Sequence, residues 1–209
     1  MVAVSVRRSI VSENSVNTGR RNFLIGATSV VGAGGVVGVA VPFLGSWNPS
    51  ARALAAGAPI KIDISKLVPG EILGPLPAWR DKPIFVVKRS EEMLTKLNSR
   101  NSRLADPGSD RPQQPGYAQN DTRSIRPEVL VLVGLCTHLG CSPQFKPVVQ
   151  AEQFDEEWLG GFFCACHGSK FDLAGRVYAG VPAPANLEVP PHYYESDAVI
   201  VIGEDGGIA

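Results

Sequence analysis

The sequence has no net charge, because its 20 lysine and arginine residues balance its 20 aspartate and glutamate residues. This balance gives no support for nucleic-acid binding, since proteins that bind nucleic acids usually carry a basic surface. Aromatic residues are also scarce, at 7% of the chain, whereas glycine and proline are frequent, with 22 and 17 residues. This composition favours a loop-rich β domain over a helical bundle.

Cysteine is missing from the first 135 residues. All four cysteines lie between Cys136 and Cys166, where they are interleaved with two of the three histidines. Cysteine and histidine are common ligands of transition metals in proteins. The clustering therefore predicts a functional site in this part of the chain.

Charged residues are missing from one long apolar segment, residues 23–44. As a helix, its 22 residues would reach roughly 33 Å at about 1.5 Å each, enough to cross the ~30 Å hydrocarbon core of a membrane. Its five glycines argue against a buried helix of a soluble protein, because glycine weakens a helix in water. A cleaved signal peptide is an alternative, since Ala53-Leu54-Ala55 has the form of a cleavage site, but signal peptides have shorter apolar regions of about 7–15 residues. We therefore predict a retained transmembrane anchor.

The segment before the anchor, residues 1–22, is polar and carries four arginines against one acidic residue, Glu13. Arg20 and Arg21 precede the apolar segment in the manner of a twin-arginine export signal. The alternative is that they are simply the positive flank that keeps an N-terminus in the cytoplasm. Both interpretations place residues 1–22 in the cytoplasm and the C-terminal part of the chain outside it.

The rest of the chain is predicted to form a hinge and a head domain. Residues 45–59 contain proline, glycine and many small residues without a strong apolar period, which predicts a flexible hinge. Residues 60–209 are predicted to form a mainly β head, with strands at residues 60–64, 84–87, 129–133 and 198–202. Ser90 is predicted to cap a short helix. Residues 100–123 are rich in polar residues, proline and glycine, and are predicted to form a surface insertion.

Two short boxes contain the cysteines and the clustered histidines: residues 136–141, Cys-Thr-His-Leu-Gly-Cys, and residues 164–169, Cys-Ala-Cys-His-Gly-Ser. Each box offers one thiolate and one imidazole at close spacing. A Rieske [2Fe–2S] centre needs two thiolates on one iron and two imidazoles on the other. The ligands would then be Cys136, His138, Cys164 and His167. The remaining two cysteines, Cys141 and Cys166, could form a disulfide in an oxidising compartment.

The spacing alone leaves other sites open. The same four residues could hold zinc, since two cysteines and two histidines form many structural zinc sites. The cysteines could also form two disulfides beside incidental histidines. Haem attachment is disfavoured, because Cys164-Ala165-Cys166-His167 is one residue short of the Cys-x-x-Cys-His pattern. The third histidine, His192, lies outside both boxes and is predicted to be a surface or packing residue.

The boxes resemble those of the Rieske iron–sulfur subunits of bacterial and mitochondrial quinol–cytochrome c reductases. Four further segments are similar to the family's strand-entry motif, the lead-in to the first box, the approach to the second box and the proline-rich loop that covers the cluster: residues 79–83, 123–128, 158–163 and 182–190. The resemblance runs from the anchor to the end of the chain. It implies an antiparallel Rieske-type β-sandwich head, with a small cluster-binding subdomain at about residues 134–186, preceded by one transmembrane helix.

The resemblance also implies a role for each site residue. The six cysteines and histidines of the boxes correspond to two ligands of the buried iron, two ligands of the exposed iron and one disulfide, in the pairs Cys136 and Cys164, His138 and His167, and Cys141 and Cys166. His167 further corresponds to the histidine that contacts quinol. Leu139 corresponds to a leucine that shields the cluster and lies against the quinol pocket. Ser169 corresponds to a serine that donates a hydrogen bond to a cluster sulfur.

Two positions depart from the commonest pattern of the family. Ala165 replaces a usual proline, which should loosen its loop slightly. Phe171 stands where many members have a tyrosine that hydrogen-bonds a ligand sulfur. Without that donor the oxidised cluster is relatively favoured, so we expect a lower reduction potential.

The function implied by the resemblance is that of the electron-transfer subunit of a membrane quinol–cytochrome c oxidoreductase. Its single [2Fe–2S] cluster would accept an electron from quinol and deliver it to a c-type cytochrome, coupled to proton translocation. The expected partners are a cytochrome b subunit, a c-type cytochrome subunit and membrane quinol, in a dimeric complex of the bacterial inner membrane with the head on the periplasmic side. No nucleic-acid partner is expected.

Three rival functions belong to other classes of protein. A soluble Rieske ferredoxin is disfavoured by the anchor and by the extra cysteine pair. The Rieske small subunit of an exported molybdenum oxidoreductase would share the twin-arginine signal and the disulfide. A zinc-stabilised extracellular binding module would have no redox activity.

Overall fold

The N-terminal unit of the chain is a single long helix. The computed structural model describes residues 17–97, 99 and 101–207, and it divides the chain between Ser50 and Ala51 into two compact units. Helix α1, Thr18–Gly45, begins after Asn17, whose side chain accepts a hydrogen bond from the backbone N–H of Arg20 at 3.0 Å. Such a cap satisfies one of the free N–H groups at a helix start. Most of the predicted cytoplasmic segment, residues 1–16, lies outside the described residues.

The apolar segment predicted at residues 23–44 lies within α1, and no residue of this helix is buried. Its most apolar window has a mean hydropathy of 2.0, so the helix is long and apolar enough to cross a membrane. An exposed helix with this composition is unfavourable in water, because each exposed valine or leucine side chain loses the free energy of burial. The N-terminal apolar helix is therefore confirmed.

The second unit begins with a short helix, α2, Ala51–Ala56, inside the predicted hinge. This helix was not predicted from the sequence, although alanine has the highest intrinsic helix propensity. Among the described residues, nine strands and helix α3, Glu91–Lys96, follow. Ser90 caps α3 as predicted, because its side chain accepts a hydrogen bond from the backbone N–H of Met93 at 3.3 Å.

The strands form three antiparallel sheets of three strands each among the described residues, in the orders β1-β9-β8, β2-β3-β4 and β5-β6-β7. All four predicted strands are present, and the mainly antiparallel β architecture is confirmed. The strands are β1, Ile60–Asp63; β2, Ile72–Trp79; β3, Lys82–Lys88; β4, Val129–Val133; β5, Gln144–Lys146; β6, Gly161–Cys164; β7, Ser169–Phe171; β8, His192–Tyr194; and β9, Val199–Ile202.

The sheet β2-β3-β4 is the middle layer, because both of its faces are buried. Alternate residues of β4 point to opposite faces, as the period of two in a strand requires. Leu130 and Leu132 join the apolar cluster that contains Cys136 and Cys164. Val129, Val131 and Val133 join a second cluster, on the side of β1 and β9. The continuous apolar run Val-Leu-Val-Leu-Val of β4 is therefore explained by burial on both sides.

The predicted surface insertion at residues 100–123 is correct only in part, because buried residues are interspersed among its exposed ones. Leu104, Asp106, Ser109, Ala118 and Arg123 in this segment are all buried. Their polar groups are hydrogen-bonded to distant parts of the chain, for example Asn186 Nδ2, which donates to the carbonyl oxygen of Asp106 at 3.1 Å. These five residues therefore belong to the head domain's interior, although about half of the segment's described residues are exposed.

Gly161 at the start of β6 provides a sharp test of this packing. Its φ of +143° suits glycine alone, and a Cβ atom there would lie 2.0 Å from the backbone oxygen of Phe171. We expect Gly161→Ala to destabilise the head by at least about 3 kcal/mol, because the strain and the clash fall on backbone that cannot move freely. Gly116→Ala is the matched control, since nothing lies within 4 Å of its added methyl group. Thermal unfolding of both variants is the measurement, and equal stability would contradict the described β6–β7 pairing.

Candidate metal centre

Two loops with the same local geometry carry the sequence boxes. The first follows β4, and the second connects β6 to β7. In each loop a glycine four residues after the first cysteine donates its N–H to that cysteine's carbonyl oxygen, Gly140 to Cys136 and Gly168 to Cys164, both at 2.9 Å. Both glycines have positive φ, +80° and +77°, which glycine adopts without steric cost. The two loops therefore present their side chains in matching ways.

The first cysteine of each loop is a buried free thiol. Cys136 is 3% exposed and Cys164 is 2% exposed, and both belong to one apolar cluster with Phe162 and Phe171. Burial raises the pKa of the Cys136 thiol, while hydrogen bonds from the backbone N–H of His138 and from the Ser169 hydroxyl oppose this shift. The neighbouring Cys164 also raises that pKa, so the two sulfurs face each other.

The histidines of the two loops also lie together, nearer the surface. The ring centroids of His138 and His167 are 4.7 Å apart, and the rings are perpendicular. His167 is exposed and His138 is half-buried. The Nδ1 atom of His138 is buried and has no hydrogen-bond partner among the described residues. A buried ring nitrogen without a partner is costly in a protein and is explained when it binds a metal.

The second cysteines of the two loops, Cys141 and Cys166, form a disulfide. The sulfur of Cys164 lies within 4.8 Å of both disulfide sulfurs. These three sulfurs do not make a metal site of their own, because a disulfide sulfur is not a thiolate ligand. The disulfide instead ties the two loops to each other directly beside the thiols and imidazoles.

Three further residues of the predicted site lie in or beside the two loops. Ser169 is buried, donates to the Cys136 sulfur and accepts a hydrogen bond from the N–H of Ala183 at 3.0 Å. Phe171 is fully buried in the apolar cluster of the two thiols. Leu139, at the tip of the first loop, is 71% exposed. An exposed leucine of this size at a loop tip is available for contact with a partner.

Three residues that were not predicted from the sequence hold the proline-rich loop, residues 182–190, in place. The Thr137 hydroxyl donates to the carbonyl oxygen of Ala185 at 2.6 Å, and Arg111 donates to that of Pro184. The side-chain oxygen of Asn186 accepts the N–H of Val177 at 2.8 Å. The one sequence signal that Thr137 has a structural role is its position between two predicted ligands, Cys136 and His138.

The third histidine, His192, is a packing residue, one of the two roles predicted for it. It is fully buried, its Nδ1 atom lies 2.8 Å from the carbonyl oxygen of Pro190, and its ring packs edge-on against Tyr117. Burial lowers its pKa. It is therefore neutral at pH 7 and takes no part in the metal centre.

Known proteins resemble this chain along most of its length. The model of the Rieske [2Fe-2S] domain matches residues 118–191, and the model described as "Ubiquitinol-cytochrome C reductase Fe-S subunit TAT signal" matches residues 10–50. The ubiquinol-cytochrome c reductase iron-sulfur subunit of Allochromatium vinosum is 55% identical over 95% of both chains. That of Blastochloris viridis is 42% identical over 93% of this chain and 98% of its own.

This chain belongs to the family of ubiquinol-cytochrome c reductase iron-sulfur subunits. A solved chain titled "Hyperthermophilic respiratory Complex III" is 29% identical, with a TM-score of 0.43, and the match covers 85% of this chain and 98% of that chain. The match to the family's twin-arginine signal includes Arg20 and Arg21 and supports the twin-arginine interpretation.

A Rieske iron–sulfur subunit of this family contains a [2Fe–2S] cluster, and the donors of the two loops fit such a cluster. Two buried free thiols belong to one apolar cluster, two imidazoles of the same loops lie together, and one buried imidazole nitrogen of these loops has no other partner among the described residues. Two sulfur and two nitrogen ligands are the set that a Rieske centre uses.

The disulfide provides a prediction about the stability of this site. We expect the double variant Cys141→Ser/Cys166→Ser to lose about 2–4 kcal/mol of stability, because the bond restricts the unfolded chain between two loops that are 25 residues apart. Chemical unfolding of the double variant and the native chain is the measurement. Peptide mapping of periplasmic material should find the two cysteines linked, and finding both thiols free would contradict the pairing.

Proposed function

We propose that this chain is the electron-transfer subunit of a membrane quinol–cytochrome c reductase, in which its [2Fe–2S] cluster takes an electron from quinol and passes it to a c-type cytochrome. The observation that carries the proposal is the layered site, with buried thiols beneath imidazoles near the surface. Family membership over nearly the whole chain supports the same activity. Proton translocation by the complex accompanies this electron transfer.

The two loops divide the ligands by depth. We assign Cys136 and Cys164 to the inner iron, because both thiols are almost fully buried. His138 and His167 are assigned to the outer iron, since they are the two more exposed donors. Hydrogen bonds to sulfur and burial are among the properties that set the potential of such a cluster. The donors directed at Cys136 therefore belong to the functional site.

His167 is the residue that meets quinol in this proposal. When bound, the cluster supplies one-electron redox chemistry. The exposed imidazole of His167 accepts a hydrogen bond from the quinol hydroxyl and takes its proton. The proton affinity of this ligand rises when negative charge is added beside it, so proton and electron transfer are linked. Leu139, exposed beside the histidines, would shield this contact from water.

Family membership and the apolar helix support a proposal for the complex and its location. We propose a single-pass helix in the bacterial inner membrane, with residues 23–44 as the anchor and the head, residues 60–209, on the periplasmic side. The partners are a cytochrome b subunit, a c-type cytochrome subunit and membrane quinol, in a dimeric complex. Residues 45–59 would act as the hinge on which the head moves between the quinol site and the c-type haem. The twin-arginine signal supports export of a head that has already folded around its cluster.

Metal analysis of the purified full-length protein tests the proposal. We expect iron and labile sulfide in equal amounts, and an electron paramagnetic resonance signal after reduction. His138→Ala and His167→Ala should each abolish this signal, because each removes an iron ligand. His192→Asn is the control, since asparagine keeps a donor near Pro190 outside the site. Zinc without iron or labile sulfide in the native protein would refute the proposal.

Phe171 provides a second test, on the reduction potential. Phe171→Tyr adds a hydroxyl that we expect to reach the Cys136 sulfur and to stabilise the extra negative charge of the reduced cluster. A neutral hydrogen bond contributes about 0.5–1.5 kcal/mol, and tenfold in a one-electron equilibrium corresponds to about 59 mV, so we expect a rise of roughly 20–65 mV. Ser169→Ala should lower the potential, because it removes a donor.

A redox titration of the full-length protein measures both shifts. Phe163→Tyr is the matched control, because the Phe163 ring stacks on Phe154 at 3.8 Å on the other face of β6. Its added hydroxyl should leave the potential unchanged. A lowered or unchanged potential in Phe171→Tyr would show that residue 171 does not face the cluster.

A further inference from the structure

A fully buried arginine, Arg123, lies behind the site and has no role in the function proposed above. Its exposed fraction is 0%. Its backbone φ is +49°, a left-handed conformation that is unfavourable for a residue with a side chain. Such strain persists only where the surrounding structure enforces it, and it points to a constrained position.

The Arg123 guanidinium is held by neutral acceptors. It donates to the carbonyl oxygens of Ala174 at 3.0 Å and Leu187 at 2.8 Å, and to the side-chain oxygen of Gln114 at 2.9 Å. Longer contacts reach the carbonyl oxygens of Gly175 and Gln113, both at 3.4 Å. None of these acceptors carries a charge, so the hydrogen bonds fix the guanidinium without neutralising it.

Positive charge exceeds negative charge in this part of the interior. Three buried arginines, Arg89, Arg123 and Arg176, share it with two buried carboxylates, Asp106 and Asp172. Within the described part of the chain, the only ion pair among these five groups joins Arg176 Nε to Asp172 Oδ2, at 2.7 Å. Burial lowers the pKa of Arg89 and of Arg123 to about 10 in each case, so both stay protonated at neutral pH.

Buried residues connect the Arg123 guanidinium to the apolar cluster of the two thiols. Leu187, whose carbonyl oxygen Arg123 contacts, belongs to the same apolar cluster as Cys136 and Cys164. Leu132 also belongs to this cluster. A Cβ atom placed on Gly175 would lie 3.1 Å from the Leu132 side chain and 3.2 Å from the Arg123 guanidinium, so both side chains lie beside Gly175. A charge embedded among buried residues acts over a longer range than one at the surface, because water and salt screen it less.

We propose that the buried guanidinium of Arg123 raises the reduction potential of the cluster by holding a positive charge, with no ion-pair partner among the described residues, behind the apolar core that contains Cys136 and Cys164. The inference rests on the proposed function, since it requires the cluster. Reduction adds an electron to the cluster, and a fixed positive charge across an apolar core favours the more negative state. Arg123 acts through the electric field and does not touch the cluster.

Gln114→Glu tests the charge while keeping the Arg123 side chain in place. A carboxylate there keeps the acceptor for the guanidinium and neutralises its charge. We expect the equilibrium constant for reduction to fall roughly three- to tenfold, a shift of about 30–60 mV to lower potential by the one-electron conversion. The measurement is a redox titration of the full-length protein followed by electron paramagnetic resonance, repeated at low and high salt. The shift should be independent of salt.

Two controls separate the buried charge from other effects of this substitution. Gln114→Met removes the hydrogen bonds that the Gln114 amide donates to the carbonyl oxygens of Ser109 and Arg111, without adding charge. Gln119→Glu adds the same charge to an exposed side chain of the same segment. We expect both controls to keep the native potential. A native potential in Gln114→Glu, or an equal fall in Gln114→Met, would overturn the proposal.

Substitution of Arg123 itself gives an independent check. Arg123→Gln should lower the potential, and Arg123→Lys should restore most of it, because lysine keeps the charge but not the planar set of donors. An equal fall in both variants would assign the effect to hydrogen-bond geometry and refute the charge. If the native protein itself shows no cluster signal, the proposed function fails, whereas an unshifted potential with an intact signal refutes the role of Arg123 alone.

Discussion

The site depends on holding two loops from different parts of the head at one fixed separation. Neither loop carries a complete set of ligands, since each contributes one thiol and one imidazole. In the proposed assignment each iron takes one donor from each loop, so a change in the distance between the loops would pull the donors of both irons apart. The disulfide restricts this distance at the outer side of the site, and the apolar cluster around Cys136 and Cys164 restricts it at the inner side. Covalent and packing constraints therefore act on opposite sides of the same few atoms.

The middle sheet places the first loop, and the small sheet β5-β6-β7 places the second. Strand β4 leads directly into the first loop, and both of its faces are packed, so this strand cannot shift without disturbing two cores. The proline-rich loop closes against both through Ser169 and Thr137. Thr137 in the first cysteine–histidine loop and Ser169 at the end of the second both bind the proline-rich loop. The proline-rich loop therefore links the two cysteine–histidine loops and resists displacement of either of them.

The sequence revealed those features whose signal is local. The spacing of Cys136, His138, Cys164 and His167 fits in two short boxes, and the apolar length of α1 is continuous in the chain. The burial of Arg123 was not predictable in this way, because its acceptors at Ala174 and Leu187 are 51 and 64 residues further along. A polar segment rich in proline and glycine is usually at the surface. The burial of the Arg123 side chain depends on carbonyl oxygens that are distant in the sequence, so no local sequence pattern reveals it.

The pairing of β1 with β9 has a consequence for the order in which the head folds. Ile60, near the start of the head, pairs with Ile202, and β8 then pairs with the other side of β9. Strand β1 therefore cannot pair until β9 has been synthesised. Contacts between residues so far apart in sequence make folding slow, because the intervening chain must be ordered first. The two cysteine–histidine loops lie between β1 and β9 in the sequence. The pairing of these two strands therefore joins the two ends of the segment that contains the whole cluster-binding region.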